Sequence, residues 1–583
     1  MVARDGRRGG GHVSSPSRRG LTAAGTALCA LLTAGLCVAQ PDGAGAPPDL
    51  VAFPPAPDVA PGWTVLLRLP AAGRERSVAE RWARRGVAVF VQTPASPPTA
   101  ANAGDWLPSE IAARRRALRW LAAGEASGAG PRVAEIAVGS AAAATLASSG
   151  EKNASTPDAI VWIDPPATLG ELFFAGGLYR VAERGAVRAA RTGVALDQLT
   201  IASDLDPTLG HPLDARYETA PRNLWLSGWF RPHARSTVAL WRSRREANAR
   251  PGAHELHLGA WTGGDDVSAL DLAGGDALLD HAFEWVVGPT AEPEAGSGSV
   301  SETADADRRA EATGSSAGVV VPSPAAPPAV RYEHLRAQVS TAGPAERGWR
   351  SADEWPPACL RCSEQRWHLR AGGGLTTEPP GPEAPTSYRF DPSRPVFTIG
   401  GAHWSVDTLA DGQVLEEYPI EPLEHGPLDQ RRVGERPDYL RFRGEALARP
   451  LHLRGSPRVE LWVASDAPDT AFVVQLVDVH PDGYQALLLE TALATRHRDD
   501  PGPSELSYGV PERLDVELGP ISATLPAGHR IALHVTSSSW PAYEVHPNTH
   551  WEDASAPPRP AFQTVYHDRQ HASVLILPRT EEP

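Results

Sequence analysis

Short apolar runs recur along the first half of the chain, separated by longer amphipathic stretches. Segments 64–68, 87–91, 133–138, 159–163, 223–226 and 255–258 each read as a buried strand, because they are brief, apolar and bounded by polar or turn-forming residues. Between them, 109–121 has helical periodicity with Ser109 as a candidate N-cap, and an alanine-rich helix is expected directly after 138. Strands alternating with helices predict a mostly parallel sheet covered on both faces. About sixty residues interrupt the alternation after 163. Their segment 169–191 reads as helical, and 165–220 is expected to cap the carboxyl edge of the sheet, where open α/β sheets bind ligands. The pattern changes from about 330 onward. Short alternating segments broken by Pro, Gly and Asp predict an all-β sandwich. The fold class is therefore α/β plus all-β.

A chain of 583 residues is too long for one ordinary core. Low-complexity sequence over 289–329 is expected to be a linker, and the proline-rich stretch 40–60 a flexible lead-in. This divides the chain into 61–288 and 330–583. The start reads as an export signal, with Arg18 and Arg19 ahead of an apolar run over 21–38. The pair resembles a twin-arginine signal, and cleavage is expected near Ala39, which makes 1–39 the signal peptide. The mature chain is then periplasmic or extracellular, with no membrane span; a lipid anchor on Cys37 is the weaker alternative. The net charge of −15 gives no reason to expect a nucleic-acid partner. Of four cysteines, Cys29 and Cys37 lie in the signal. Cys359 and Cys362 form a single C-x-x-C, too little for a zinc site, and are expected to pair in an oxidising compartment.

The β-rich half carries a series of distinctive short motifs. They include His425-Gly-Pro-Leu-Asp-Gln-Arg431, Arg436-Pro-Asp-Tyr-Leu440, Leu476-Val-Asp-Val479, Pro481-Asp-Gly483, Ala527-Gly-His-Arg530 and Ser537-Ser-Ser-Trp-Pro541. Tyr388-Arg-Phe-Asp-Pro392 precedes them, and Gln563-Thr-Val-Tyr-His567 follows. In this order and spacing they resemble the C-terminal jelly-roll domain of the CocE/NonD family of α/β-hydrolases, the cocaine esterase and X-prolyl dipeptidyl peptidase type. Read locally, most have structural reasons to exist: Pro481-Asp-Gly483 as a turn, Asp469 and Asn548 as turn caps, His529 and Arg530 as groups satisfied inside the sandwich. The resemblance implies an α/β-hydrolase sheet with a cap, and serine-dependent hydrolysis of X-prolyl peptide, ester or amide acyl bonds.

Such chemistry needs a serine on a sharp strand-to-helix turn, a histidine, a carboxylate that orients it, and oxyanion donors. Carried over residue by residue, the resemblance places Gly139 where the nucleophile belongs. It places Arg231 at the carboxylate position, after an intact Gly228-Trp-Phe230. It places Gly263 at the histidine position, after Gly259-Ala-Trp-Thr262, and Ala71 where an oxyanion tyrosine would follow Pro70. Glycine cannot form an acyl-enzyme, and arginine would repel an imidazolium. The expected product of this lineage is therefore an exported non-catalytic protein that binds an unidentified small molecule or peptide. The alternative is an active hydrolase with Ser140 as relocated nucleophile, His233 as base, and Asp265 or Asp266 behind it; the plain reading of Ser140 is a cap on the alanine-rich helix. Trp225, Trp229, Trp241 and Trp261 read as core aromatics sooner than a pocket lining. His546, His550, His567 and His571 are expected to be solvated loop residues, with no metal and no cofactor implied.

Overall fold

The computed structural model describes residues 47–55, 62–69, 75–93, 103–124, 129–148, 156–180, 213, 221–248, 250, 252–262, 275–288, 328–336, 348–358, 362–402, 425–499, 502–553 and 555–580. The signal segment, the linker over 289–327, Ala71, Cys359, Gly263, Asp265 and Asp266 lie outside them. No described helix is long and apolar enough to cross a membrane.

The first sheet has nine strands among the described residues. Its chain order is β1 (Leu50–Phe53), β2 (Trp63–Arg68), β3 (Ala88–Gln92), β4 (Arg132–Val138), β5 (Ala159–Ile163), β8 (Arg222–Gly228), β9 (His254–Gly259), β10 (Val330–Glu333) and β12 (Trp349–Ala352). They lie side by side as β1-β3-β2-β4-β5-β8-β9-β10-β12. From β3 through β10 the pairing is parallel; β1 and β12 close the two edges antiparallel. The strands read from the sequence are all present, with bounds that agree to within two residues. Parallel strands covered on both faces need no polar alternation, and the fully buried patterns of β2, β3 and β5 show this. The helices are α1 (Glu75–Arg84), α2 (Ala103–Ala122), α3 (Ser140–Ser148), α4 (Ala234–Ala247) and α5 (Gly275–Val287).

Four expectations need correction. Ser109 does not cap a helix: α2 begins at Ala103 and runs through Pro108, because Trp106 ahead of the proline is buried in the core and draws the first turns inward. The lead-in is not all loose chain, since Leu50–Phe53 pairs with β3 and Leu50 and Phe53 are buried. Over 169–180 the chain is not helical. A 3-10 turn (Gly170–Leu172) leads into a hairpin of β6 (Phe174–Ala175) and β7 (Leu178–Tyr179), and the residues beyond 180 in the expected helix lie outside those described. The hairpin turns on Gly176 and Gly177, both at positive φ. A side chain on Gly176 would sit 2.0 Å from the carbonyl oxygen of Ala492, so only glycine permits this approach. Finally, the boundary between the sheets is interleaved and does not fall at 330: β10 and β12 belong to the first sheet, while Leu335–Arg336 between them pairs with the second.

The second sheet has fourteen strands among the described residues and forms the β-sandwich. Those used below are β16 (Leu440–Arg443), β18 (Arg458–Ser465), β19 (Ala471–Val479), β20 (Gln485–Ala494), β22 (Ile521–Leu525) and β23 (Arg530–Thr536). Its core is a continuous set of Leu, Val and Phe side chains such as Leu461, Phe472, Leu476 and Leu533, all fully buried. The two halves are joined by hydrogen bonds. Ala494 N donates to Gly176 O at 2.7 Å, Glu544 N to Tyr179 O at 2.8 Å, and Arg496 Nη2 to Gly177 O at 2.7 Å. Arg496 is held by Asp469 at 3.0 Å, and His546 bonds the same carboxylate at 3.0 Å. Asp469 is thus a buried ion-pair partner and not merely a turn cap. His546 and His567 are likewise buried and bonded, not solvated.

Beneath the turn after β4 lies a buried charge cluster. Arg114 on α2 grips Glu135 on β4 with both fork positions, at 2.9 and 2.7 Å. Arg68 on β2 reaches the same carboxylate at 3.4 Å, and Thr145 on α3 at 2.7 Å. Thr145 Oγ1 also donates to Glu135 at 2.8 Å. Burial pushes the Glu135 carboxyl up, but Arg114, Arg68 and Thr145 outweigh it and hold it below the usual carboxylate range. Glu135→Leu would leave Arg114 buried without its anion and Arg68 with Glu110 alone, at 3.3 Å. Breaking such a cluster costs about 3–5 kcal/mol, which equilibrium urea unfolding should read as a lower midpoint; a midpoint within error of wild type would mean the cluster is dispensable.

Candidate functional site

The carboxyl edge of the first sheet brings together the loops expected to carry chemistry. Chain order reverses on either side of β2, whose neighbours are β3 and β4, and such reversals mark the ligand crevice of open α/β sheets. At the end of β4 the chain turns sharply through Gly139, at φ +54°, into α3. Gly139 N donates to Ile163 O at 2.9 Å, and Gly139 O accepts from Ala143 N at 3.1 Å as the helix starts. This is the strand–turn–helix geometry of a nucleophile elbow. In a hydrolase the residue here endures a left-handed backbone in order to present its side chain; glycine adopts that backbone freely and presents nothing.

Ser140 is the first residue of α3, and its hydroxyl is buried without a hydrogen-bond partner. The capping reading of Ser140 therefore fails, because its hydroxyl bonds no backbone group at the start of α3. Ser140 is also not bonded to His233, which lies at the start of α4, where its carbonyl accepts from Thr237. The structure does not assemble the Ser140–His233 pair.

Arg231 follows β8 and is buried. Its Nε meets the carboxylate of Asp164, and its Nη1 donates to Thr262 O at 3.1 Å. Asp164 ends β5 at φ +47° and also accepts from Ser227. Residues from the ends of β5, β8 and β9 are therefore tied by one ion pair, and Asp164 is a partner that sequence reasoning missed. The two lie 67 positions apart, so no local spacing announces them. The signal that existed was an aspartate directly after a buried strand.

A cavity of about 130 Å³ opens beside this pair, between the two halves of the chain. Trp229, Arg231 and His233 line it from one side, and Leu488, Glu490 and Tyr543 from the other. Gly139 and Ser140 are not among its lining residues. Trp225 and Trp241 pack in the core as expected, whereas Trp229 serves core and cavity both. Glu490 on β20 accepts hydrogen bonds from Gln475 at 2.6 Å and Ser539 at 3.1 Å. Burial pushes its carboxyl up to about 7, so at neutral pH it divides between acid and anion. Behind it, the Tyr439 hydroxyl sits between Gln475 and His534, and burial holds His534 down at about 3. The cavity thus pairs a fixed cation, itself neutralised by Asp164, with a titrating carboxyl and aromatic walls. That combination suits a ligand with apolar and polar parts.

Sheet order, elbow and appended sandwich define an α/β-hydrolase with a second β-domain. Residues 325–576 match the family described as the X-Pro dipeptidyl-peptidase C-terminal non-catalytic domain. A stretch of 241 residues is 30% identical to the cocaine esterase of Rhodococcus sp. (strain MB1 Bresler), covering 40% of this chain and 39% of that one. The chain therefore matches about two-fifths of the length of that curated relative. Among solved structures, an aminopeptidase from the marine sediment archaeon Thaumarchaeota archaeon superposes with a TM-score of 0.68 at 16% identity, over 96% of this chain and 99% of that one. A CocE/NonD family hydrolase from Staphylococcus aureus gives 0.54 at 11% identity, over 91% of each chain. These likenesses show the α/β-hydrolase fold with an appended β-domain, and the chain is similar in sequence to the cocaine esterase and in fold to the CocE/NonD family hydrolase.

The Arg231–Asp164 pair makes a thermodynamic cycle possible. Arg231→Met leaves a buried carboxylate without its cation and should cost about 3–5 kcal/mol. The double variant with Asp164→Asn, whose side chain tolerates a left-handed backbone, should recover a large part of that in urea unfolding. Strictly additive losses would show that the pair does not interact.

Proposed function

We propose that this chain is an exported member of its hydrolase family that has lost serine chemistry and binds a small molecule or peptide in the cavity beside Arg231. The observation carrying this reading is the elbow: a left-handed turn of nucleophile geometry whose residue is Gly139. Acyl transfer through a serine needs an oxygen at that turn, and none is there. Arg231 supports the same reading. Where the family resemblance places a carboxylate to orient a histidine, a guanidinium is neutralised by Asp164 and bonded to Thr262. Among the described residues, the groups at this edge stabilise one another, and no base is bonded to Ser140. Ester or peptide hydrolysis, the activity named for relatives such as the cocaine esterase, is on this reading an ancestral function. Export rests on the arginine pair and apolar run at the start of the sequence.

Labelling with a fluorescent fluorophosphonate, read against Ser140→Ala, tests the proposal. The folded protein should remain unlabelled at reagent levels that saturate an active serine hydrolase. Stoichiometric labelling abolished in Ser140→Ala would establish Ser140 as a relocated nucleophile and overturn the proposal. Labelling that survives in Ser140→Ala would overturn it by way of another serine.

A further inference from the structure

Far from the α/β edge, one end of the sandwich gathers two imidazoles and a carboxylate. Asp478 is the penultimate residue of β19, and His480 follows two residues later, so both side chains point to the same face. β19 pairs with β23 in the register Asp478↔Ile531 and Val479↔Arg530. One step further, that register sets His480 directly opposite His529. The two rings lie 4.5 Å apart between centroids, as directly opposed cross-strand residues do. Asp478 occupies the diagonal position, with Oδ1 2.9 Å from His529 Nδ1 and Oδ2 3.5 Å from His480 Nε2. All three residues are buried, and their ligating atoms lie within 4.8 Å of one another.

The backbone around them is pinned by three loops. His480 N donates to Tyr484 O at 2.8 Å, and Gly483 N back to His480 O at 2.9 Å, forming the Pro481-Asp-Gly483 turn. His529 N donates to Pro526 O at 3.2 Å, and Leu447 N donates to His529 O at 2.8 Å. The Tyr484 ring packs on His480 at 5.3 Å. The ligating groups therefore need little reorganisation to meet an ion.

We propose that Asp478, His480 and His529 bind a first-row divalent cation of the zinc class. The ligands would be an Asp478 carboxylate oxygen, His480 Nε2 and His529 Nδ1. Donors about 2.0–2.2 Å from a tetrahedral ion stand roughly 3.3–3.6 Å apart, and Asp478 Oδ2, 3.1 Å from His529 Nδ1 and 3.5 Å from His480 Nε2, needs only small adjustment to reach this. A hydrogen-bonded Asp–His pair would require one imidazole. The second, buried and facing the other carboxylate oxygen, is what a metal ligand set adds. Two imidazoles and one carboxylate suit zinc and its neighbours over magnesium or calcium, which prefer all-oxygen sets. Three protein ligands leave a position for water. The site is separate from the proposed ligand cavity and does not depend on that reading.

The test uses the full chain, untagged and freed of metal by chelator, titrated with zinc in a calorimeter and with cobalt(II) in the visible range. One equivalent should bind, with the d–d absorption of a low-coordinate cobalt site and a rise in thermal midpoint. His480→Phe should weaken zinc binding at least tenfold, while its thermal midpoint in chelator stays at the wild-type value. Absence of stoichiometric uptake by the wild type, or equal uptake by His480→Phe, would overturn the proposal. If His480→Phe fails to fold, the wild-type cobalt spectrum decides: tetrahedral-type absorption supports the site, and the spectrum of hexaaqua cobalt alone refutes it.

Discussion

The turn after β4 is held from below. Glu135 is fully buried in the middle of the first sheet, and an unpaired carboxylate there would be intolerable. It is stable only because Arg114, Arg68 and Thr145 converge on it from α2, β2 and α3. That requirement fixes where α3 starts and how it leans on the sheet, and so it fixes the sharp turn at Gly139. None of these groups takes part in acyl transfer. The shape of the elbow therefore does not require a nucleophile: the constraint on it is electrostatic and lies beneath it.

Once the turn is fixed, the residues around it have settled into a different arrangement. Arg231 and Asp164 form a buried ion pair that ties the ends of β5, β8 and β9 together. Such a pair is strongly destabilising to break, although it adds little net stability over an apolar replacement. Its effect is specificity of position. The open space lies beside it, at the seam with the β-sandwich, where Glu490 and Tyr543 contribute to the wall. Ser140, next to the elbow glycine, has a buried hydroxyl with no hydrogen-bond partner and does not line that space. In this sheet the loops bind and brace one another, and catalytic geometry is absent among the described residues.

Most strands were legible because a strand covered on both faces must be an apolar run, and a run is visible locally. The features that escaped depend on distant partners. β1 hides in a proline-rich stretch because its pairing with β3 decides its conformation. The hairpin at Gly176 and Gly177 carries an amphipathic-looking sequence, yet its shape follows from close approach to Ala492 in the other half of the chain. Ser109 reads as a cap from the helical periodicity that follows it, yet the helix begins at Ala103, with Trp106 buried in its first turns. At the site, Gly139 and Arg231 stood out as departures from the family's motifs, whereas Asp164 and Glu490 did not. Their roles come from burial and from partners far along the chain. His480 and His529 likewise become a pair only through strand register.

We propose that a hydrolase scaffold persists here without a serine nucleophile. Rapid mixing of the folded protein with p-nitrophenyl acetate, followed by intact-mass analysis of the quenched sample, tests this. No burst of nitrophenol is expected, with a rate no greater than that of the Ser140→Ala variant and an unmodified mass. A burst equal to the protein concentration, with one acetyl group retained on a serine, would contradict it.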